Sequence, residues 1–176
     1  DLVKDLSETK IIGIAYCVGS IDIKPFRLTK ANDFVSSYVL NLVAVTEIIR
    51  NFQENLKNNK ASIVLFSTVA AKKGFSNHSI ISSAKAAIEG LTVALAAELA
   101  PNIRINCIAP SLTKSKIAST VIKNSTIEES IAKMHPLKRI GQGVDSANLA
   151  NFLLTEKSSW ITGQIIGVDG GRSSIA

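Results

Sequence analysis

The chain has 176 residues, 46% of them hydrophobic and 19% charged, a composition typical of one globular domain with a sizeable buried core. Its formal net charge is +6, but the positive residues are scattered among acids and only 5% of residues are aromatic, which argues against a nucleic-acid interface. No uninterrupted apolar run reaches the roughly 18 residues that cross a bilayer. We therefore expect a single domain over residues 1–176, located in the cytoplasm, with neither nucleic acid nor membrane as a partner.

Four short apolar runs predict strands that are buried on both faces. They lie at 11–19, 62–68, 103–110 and 164–171. The two cysteines, Cys17 and Cys107, fall in the first and third of these runs and have no neighbours at metal-ligand spacing. We therefore expect two reduced, buried thiols and no metal site.

Longer segments with helical spacing of apolar residues separate the strands. The first begins near Thr29, a predicted N-cap, and extends to about residue 57, which is long enough for us to expect a break near Asn41. The second, at 80–100, is rich in alanine and stops at Pro101. The third, at 145–155, starts at Asp145. Strands that alternate with such helices predict an α/β fold with a parallel sheet covered on both faces.

The segment between Ser111 and Pro136 interrupts this alternation. It contains many polar residues and no strand pattern. Long excursions after a strand of an open α/β sheet often form active-site lids, which is the role that we expect here.

Several stretches together resemble the short-chain dehydrogenase/reductase family, from its fourth strand to its C-terminus. They are YCVGS at 16–20, LNLVAV at 40–45, STVAAKKGFSNHSIISSAKAAIEGLTVALAAELA at 67–100, and IRINCIAPS through WITGQIIGVDGG near the end. The resemblance implies a Rossmann-like, doubly wound parallel sheet, with seven strands in a complete protein. This chain would cover strands four to seven, with strands one to three missing.

The resemblance also implies that most of the adenine and phosphate site is absent from this chain. The family binds the pyrophosphate at a Gly-rich turn after its first strand, and neither G-x-x-x-G-x-G nor G-x-G-x-x-G occurs here. We expect that the sequence is either a part of a longer protein or a truncated product. The residues that choose between NAD and NADP would belong to the missing second strand.

For the part of the family's sequence that this chain covers, the resemblance assigns roles to single residues. Gly19 matches the glycine of a turn that lies close to the dinucleotide, with Tyr16 and Cys17 in place of the family's asparagines. Asn41 matches the asparagine that holds a water in the family's proton relay; the alternative is a polar residue at a kink. Thr68 stands at the catalytic serine, where its hydroxyl can bond a substrate carbonyl, or it simply ends a strand.

Further positions match the part of the site around nicotinamide. Lys85 matches the lysine that binds the ribose hydroxyls, although its long stem can also carry the charge to water. Pro110 and Ser111 match the family's Pro-Gly turn, with serine in place of glycine. Thr113 and Ser115 lie where hydroxyls contact the cofactor, and they are also ordinary loop residues. The implied cofactor is NAD or NADP.

The main departure is Ile81, which occupies the position of the family's catalytic tyrosine. Reduction of a carbonyl leaves an alkoxide that needs a proton donor, and isoleucine has none to give. His78, three residues earlier, is a candidate donor, or alternatively a loop histidine that caps the next helix. Ser79, Ser82, Tyr16 and the ammonium of Lys85, acting through water, are further candidates.

Three functions follow from this pattern. The first is an NAD(P)-dependent oxidoreductase with an atypical active site that acts on a small carbonyl or alcohol. The second is a non-catalytic subunit that senses a dinucleotide or serves assembly, and the third is a truncated remnant. Related enzymes pair the helices equivalent to 30–57 and 80–100, so we expect a homodimer or homotetramer; a monomer by light scattering would contradict this.

Overall fold

The computed structural model describes residues 2–6 and 8–175. Its four strands are β1 (Gly13–Tyr16), β2 (Ser62–Phe66), β3 (Arg104–Pro110) and β4 (Ile165–Val168). They form one parallel sheet in the order β1-β2-β3-β4, with Gly13 opposite Ser62 and Cys107 opposite Ile165. The predicted α/β fold with a parallel sheet is confirmed. The seven-stranded sheet of a complete chain stays a prediction.

The α-helices are α1 (Leu2–Asp5), α2 (Ala31–Tyr38), α3 (Ala44–Asn58), α4 (Ser79–Leu99), α5 (Ser125–Lys133) and α6 (Gly143–Leu154). Helices α3 and α4 cover one face of the sheet, and α6 covers the other. The alternation along β2 shows this directly, since Ile63 and Leu65 pack under α3 and α4 while Val64 packs under α6. The central strands β2 and β3 are therefore buried on both faces, as their apolar runs predicted. The prediction is wrong for the edge strands β1 and β4, which are mostly half-buried and expose Ala15 and Gly167.

The first helical segment differs from the prediction at its start. Thr29 is not the N-cap, because its hydroxyl donates to Phe26 O at the end of a short 3₁₀ turn. The helix begins at Ala31, and Asp33 secures that end by accepting a hydrogen bond from the N–H of Lys30 at 2.8 Å.

The expected break at Asn41 is a π-helical turn over Val39–Val43, which joins α2 to α3. The wider turn leaves the Leu40 carbonyl available, and the hydroxyl of Tyr16 donates to it at 2.8 Å. Asn41 is fully buried within this turn. Single π-helical turns inside α-helices often mark functional sites.

By length and composition α4 is apolar enough to cross a membrane, a test that the core helices of soluble proteins also pass. Here it packs on the sheet and carries a buried carboxylate, Glu89, which accepts a hydrogen bond from Ser67 Oγ at 2.8 Å. Lys72 Nζ lies 3.5 Å from the same carboxylate. A buried charge that is paired in this way is a feature of a folded core helix.

Candidate active site

Lys85 connects α4 to the end of β2. Its ammonium donates to the Phe66 carbonyl at 2.9 Å, and Ser67 Oγ, which donates to Glu89, also lies 3.2 Å from the Lys85 carbonyl. An ammonium has three N–H donors, so two are left for other acceptors. The side chain is half-buried at the carboxyl edge of the sheet, and it does not reach out over the surface.

Burial lowers the pKa of the Lys85 ammonium, because the charged form loses hydration. The thiols of Cys107 and Cys17 oppose this shift weakly. Among the ion pairs of residues 2–6 and 8–175, none includes Lys85. A desolvated cation without a carboxylate is well suited to bind neutral hydroxyl oxygens.

Gly19 brings the backbone close to two of the predicted site residues. A Cβ at this position would lie 2.9 Å from Asn41 Oδ1 and 3.2 Å from Lys85 Nζ. Gly19, Asn41 and Lys85, from three separate parts of the chain, therefore meet at one point. Because glycine has no side chain, a space remains beside Gly19, and the Asn41 amide oxygen and the Lys85 ammonium border it.

Asn41 has one half of its amide group bonded and the other half free. Its Nδ2 donates to the Ser37 carbonyl at 2.9 Å, but its Oδ1 is buried and has no hydrogen-bond partner in the described part of the chain. An unpaired buried acceptor costs about 1–3 kcal/mol. Such a group needs an explanation, and a bound water or ligand group would supply one.

Thr68 lies two residues after the end of β2, close to where Lys85 contacts Phe66. Its side chain is half-buried, and its Oγ1 accepts a hydrogen bond from the Ala70 N–H at 3.3 Å. That bond uses the oxygen as an acceptor and leaves the O–H proton available. The hydroxyl can therefore still donate to a carbonyl oxygen.

Ile81 lies in the first turn of α4 and is 5% exposed, a buried alkyl group without a polar atom. Of the predicted donors, Tyr16 is engaged with Leu40 O, and burial raises its pKa. Ser79 Oγ is buried and has no hydrogen-bond partner among the described residues. His78 is at the N-cap of α4 but makes no side-chain capping bond, since its Nδ1 bonds the Ser76 carbonyl at 2.7 Å.

The loop after β3 places its hydroxyls elsewhere. Ser111 Oγ lies 2.8 Å from His135 Nε2, and both residues are buried. Because His135 Nδ1 bonds the Ile131 carbonyl at 2.9 Å, this nitrogen carries the proton and Nε2 accepts from Ser111. No local sequence pattern predicts this contact, which joins residues 24 positions apart.

The other two predicted loop hydroxyls have partners within the loop. Thr113 Oγ1 donates to the Ser111 carbonyl at 3.0 Å, and the exposed Ser115 accepts from the Ala118 N–H at 3.1 Å. Pro110 ends β3 at the carboxyl edge of the sheet. The roles of Pro110, Ser111, Thr113 and Ser115 in cofactor binding stay predictions.

A cavity of about 430 Å³ lies beside this loop, between the ends of β3 and β4. Its lining includes Ser111, His135 and Asp169, but not Lys85 or Thr68. The Asp169 carboxylate accepts bonds from the Gly171 and Ser173 backbone. Of the predicted site residues, Ser111 alone lines this cavity, and it is separate from the group around Lys85.

The prediction of two buried thiols is confirmed for Cys107 and wrong for Cys17. Cys107 is buried in β3, and burial raises its pKa to about 12. Cys17 is exposed, because β1 ends at Tyr16 and the chain leaves the sheet there. No cluster of three or more potential metal ligands exists among the described residues.

Comparison with known proteins identifies the family. A family model described as enoyl-(acyl carrier protein) reductase matches residues 3–173. A chloroplastic tropinone reductase homolog from Arabidopsis thaliana is 34% identical over 175 residues, which is 98% of this chain and 54% of that protein. Human dehydrogenase/reductase SDR family member 4 is 38% identical over 122 residues, 67% of this chain and 43% of that protein. The chain spans about half the length of these relatives.

Solved structures agree. ElxO with NADP bound is 26% identical, with a TM-score of 0.88 over 98% of this chain and 72% of that one. A short-chain dehydrogenase/reductase from Mycobacterium ulcerans is 26% identical, with a TM-score of 0.89 over 98% and 64% of the two chains. Cytoplasmic location and oligomeric state stay predictions. The chain belongs to the short-chain dehydrogenase/reductase family.

Proposed function

We propose that the chain is part of an NAD(P)-dependent oxidoreductase that acts on a small carbonyl or alcohol through an atypical active site. The observation that carries this proposal is the meeting of Gly19, Asn41 and Lys85 at the carboxyl edge of the sheet. Ligands of open α/β sheets bind at this edge. The NADP in the structure of ElxO, which shares this fold, gives further support.

The residues around Gly19 fit a dinucleotide. Two N–H donors of Lys85 are left for ribose hydroxyls, Gly19 permits close approach of the backbone, and the free Oδ1 of Asn41 can accept from a water. When bound, the nicotinamide would supply or accept the hydride. The chain's own part is to hold the reacting groups in position.

Thr68 would orient the substrate by donating its hydroxyl proton to the carbonyl oxygen. The proton for the resulting alkoxide has no donor at Ile81, and general acid help is typically worth about 10²–10⁴-fold. His78, and Ser79 with a buried hydroxyl that lacks a partner in the described part of the chain, are candidate donors on the N-terminal side of Ile81. We expect turnover to be slower than in members of the family that have the tyrosine.

A non-catalytic, dinucleotide-binding subunit is the second candidate. The observation that favours it is the burial of Ile81, which fills the tyrosine position with a packed alkyl group. Both functions require a dinucleotide site, and only the first requires proton transfer. A truncated remnant would show neither.

Titration with NADH and NADPH, followed by steady-state turnover of Ile81→Tyr and Ile81→Phe, separates these functions. Phenylalanine is the matched control because it introduces the ring without the hydroxyl. Oxidoreductase function predicts that Ile81→Tyr raises turnover by about 10²–10⁴-fold and that Ile81→Phe does not. Dinucleotide binding without turnover in any variant would support the non-catalytic subunit. Absence of dinucleotide binding would refute both.

A further inference from the structure

Arg172 lies in the turn that follows β4, and its guanidinium is held between two neighbouring segments. It stacks on the ring of Phe75, with the guanidinium carbon 4.8 Å from the ring centroid. On the other side, its Nη2 donates to Met134 Sδ at 3.4 Å. Phe75 belongs to the loop between β2 and α4, and Met134 is at the end of α5.

Within residues 2–6 and 8–175, the guanidinium of Arg172 has no carboxylate partner. Burial lowers its pKa, so the charge has lost hydration without gaining a carboxylate. A guanidinium has five N–H donors in a planar fork that matches a carboxylate or a phosphate, and the sulfur of Met134 is a weak acceptor for one of them.

The position of Arg172 connects it to the candidate active site. Lys73 Nζ donates to the Arg172 carbonyl at 2.7 Å, and Lys73 follows Thr68 by five residues. Arg172 follows the end of β4, two strands from β2 in the sheet order. Neighbouring strands lie about 4.8 Å apart, so the ends of β2 and β4 are about 10 Å from each other. A small molecule can span that distance.

The segments around Arg172 are also the right ones for substrate recognition. From the turn after β4, it contacts the loop that leads to Ile81 and the end of the segment predicted as a lid. The ring of Phe75 in turn lies 5.5 Å from the ring of His78. A group bound by Arg172 would therefore lie in the opening between these segments.

We propose that Arg172 is a specificity-determining residue that binds an anionic group, a carboxylate or a phosphate, on the substrate. This inference rests on the proposed oxidoreductase function and narrows its substrates to anionic carbonyl or alcohol compounds. A carboxylate would replace the weak sulfur contact with two charge-assisted hydrogen bonds. Phe75, which packs against the face of the guanidinium, would leave the N–H donors at its edge free to bind the anion.

Calorimetric titration of the purified protein tests the anion site without turnover. The probes are succinate and inorganic phosphate, titrated into the wild type, Arg172→Gln and Arg172→Lys. The control is Arg50→Gln, because Arg50 is exposed on α3 and paired with Glu47. We expect Arg172→Gln to weaken binding of one probe by about 10- to 100-fold, Arg172→Lys to recover part of it, and Arg50→Gln to change nothing. If succinate is the probe that Arg172→Gln weakens, the site binds a carboxylate, and if phosphate is, the site binds a phosphate.

Equal binding in all four proteins, or no binding in any, would overturn the proposal. Thermal unfolding is measured on the same samples to identify a misfolded variant. If Arg172→Gln does not fold, Arg172→Lys and Phe75→Leu serve instead. Phe75→Leu removes the ring beneath the guanidinium and keeps its charge, so we expect weaker probe binding, and unchanged binding counts against the site.

Turnover separates this proposal from the proposed function. Levulinate and the longer oxo acids 7-oxooctanoate and 9-oxodecanoate are compared with their methyl esters, so that the distance from carbonyl to carboxylate increases toward the roughly 10 Å between the two strand ends. The wild type should prefer an acid over its ester, and Arg172→Gln should raise KM for the acid by about 10- to 100-fold with kcat and the ester unaffected. Turnover without preference for the acid refutes the anion site only. Binding of a probe that depends on Arg172, without any turnover, leaves the anion site and refutes the oxidoreductase.

Discussion

The substitution Gly19→Ala tests whether the space beside Asn41 and Lys85 matters. The new Cβ would lie 2.9 Å from Asn41 Oδ1, closer than real Cβ contacts, and 3.2 Å from Lys85 Nζ. Asn41 is fully buried and cannot move away easily. Overpacking of this kind costs about 1–3 kcal/mol, which is a fall in Tm of roughly 2–12 °C for a chain of this size.

Gly90→Ala is the matched control, since a Cβ there meets nothing within 4 Å and Gly90 is exposed on α4. It should stabilise the fold by about 0.5–1 kcal/mol, because alanine favours a helix. Thermal and urea unfolding compare the two variants, and NADPH titration should show weakened binding for Gly19→Ala alone. In an Asn41→Ser background, Gly19→Ala should cost less, since the shorter side chain removes the 2.9 Å contact. Wild-type stability and NADPH affinity for Gly19→Ala would refute the reasoning.

Two further predictions follow from the thiols and from one carboxylate. Native protein should react with a chromogenic disulfide reagent at Cys17 only, and Cys107 should react after denaturation, because it is buried with a pKa near 12; a native Cys17→Ser variant that still reacts rapidly would contradict this. The hydrogen bonds from Arg139 lower the pKa of Asp145 from 3.8 to about 2, so this pair stabilises the fold above pH 3.8 and the stabilisation is lost as the pH falls toward 2. Asp145→Asn should therefore flatten the decline of the urea midpoint between those pH values, and an unchanged slope would show that the pair contributes nothing.

The order of elements was readable from the sequence because apolar runs and helical spacing are local signals. The residues at which the strands and helices begin and end were not predictable. The strand expected at 11–19 is only Gly13–Tyr16, because the Ile11 N–H donates to the Asn55 side chain and not to a neighbouring strand. Helix α5 was missed, although Asn124 caps it by accepting from the Ile127 N–H at 2.9 Å. That asparagine is an N-cap signal of the ordinary kind.

The candidate site was predictable only where motif spacing fixes the geometry. The resemblance assigned Gly19, Asn41 and Lys85 separate roles at one site, and the fold brings the three residues together. The partner of Ser111 was not predictable, because its contact with His135 depends on how the segment after β3 returns to the sheet. Arg172 was also missed, since its contacts with Phe75 and Met134 are a property of packing and not of local sequence.

The π-helical turn at Val39–Val43 fixes how the two helices on either side of it are rotated. One extra residue in a helix rotates everything beyond it by about 100°. The core residues of α3, among them Phe52 and Leu56, reach the sheet only with that rotation in place. Deletion of a single residue from the turn would therefore do more than straighten the helix: it would direct either α2 or the apolar stripe of α3 away from its packing surface. The residue count of this segment is thus constrained as tightly as its chemistry.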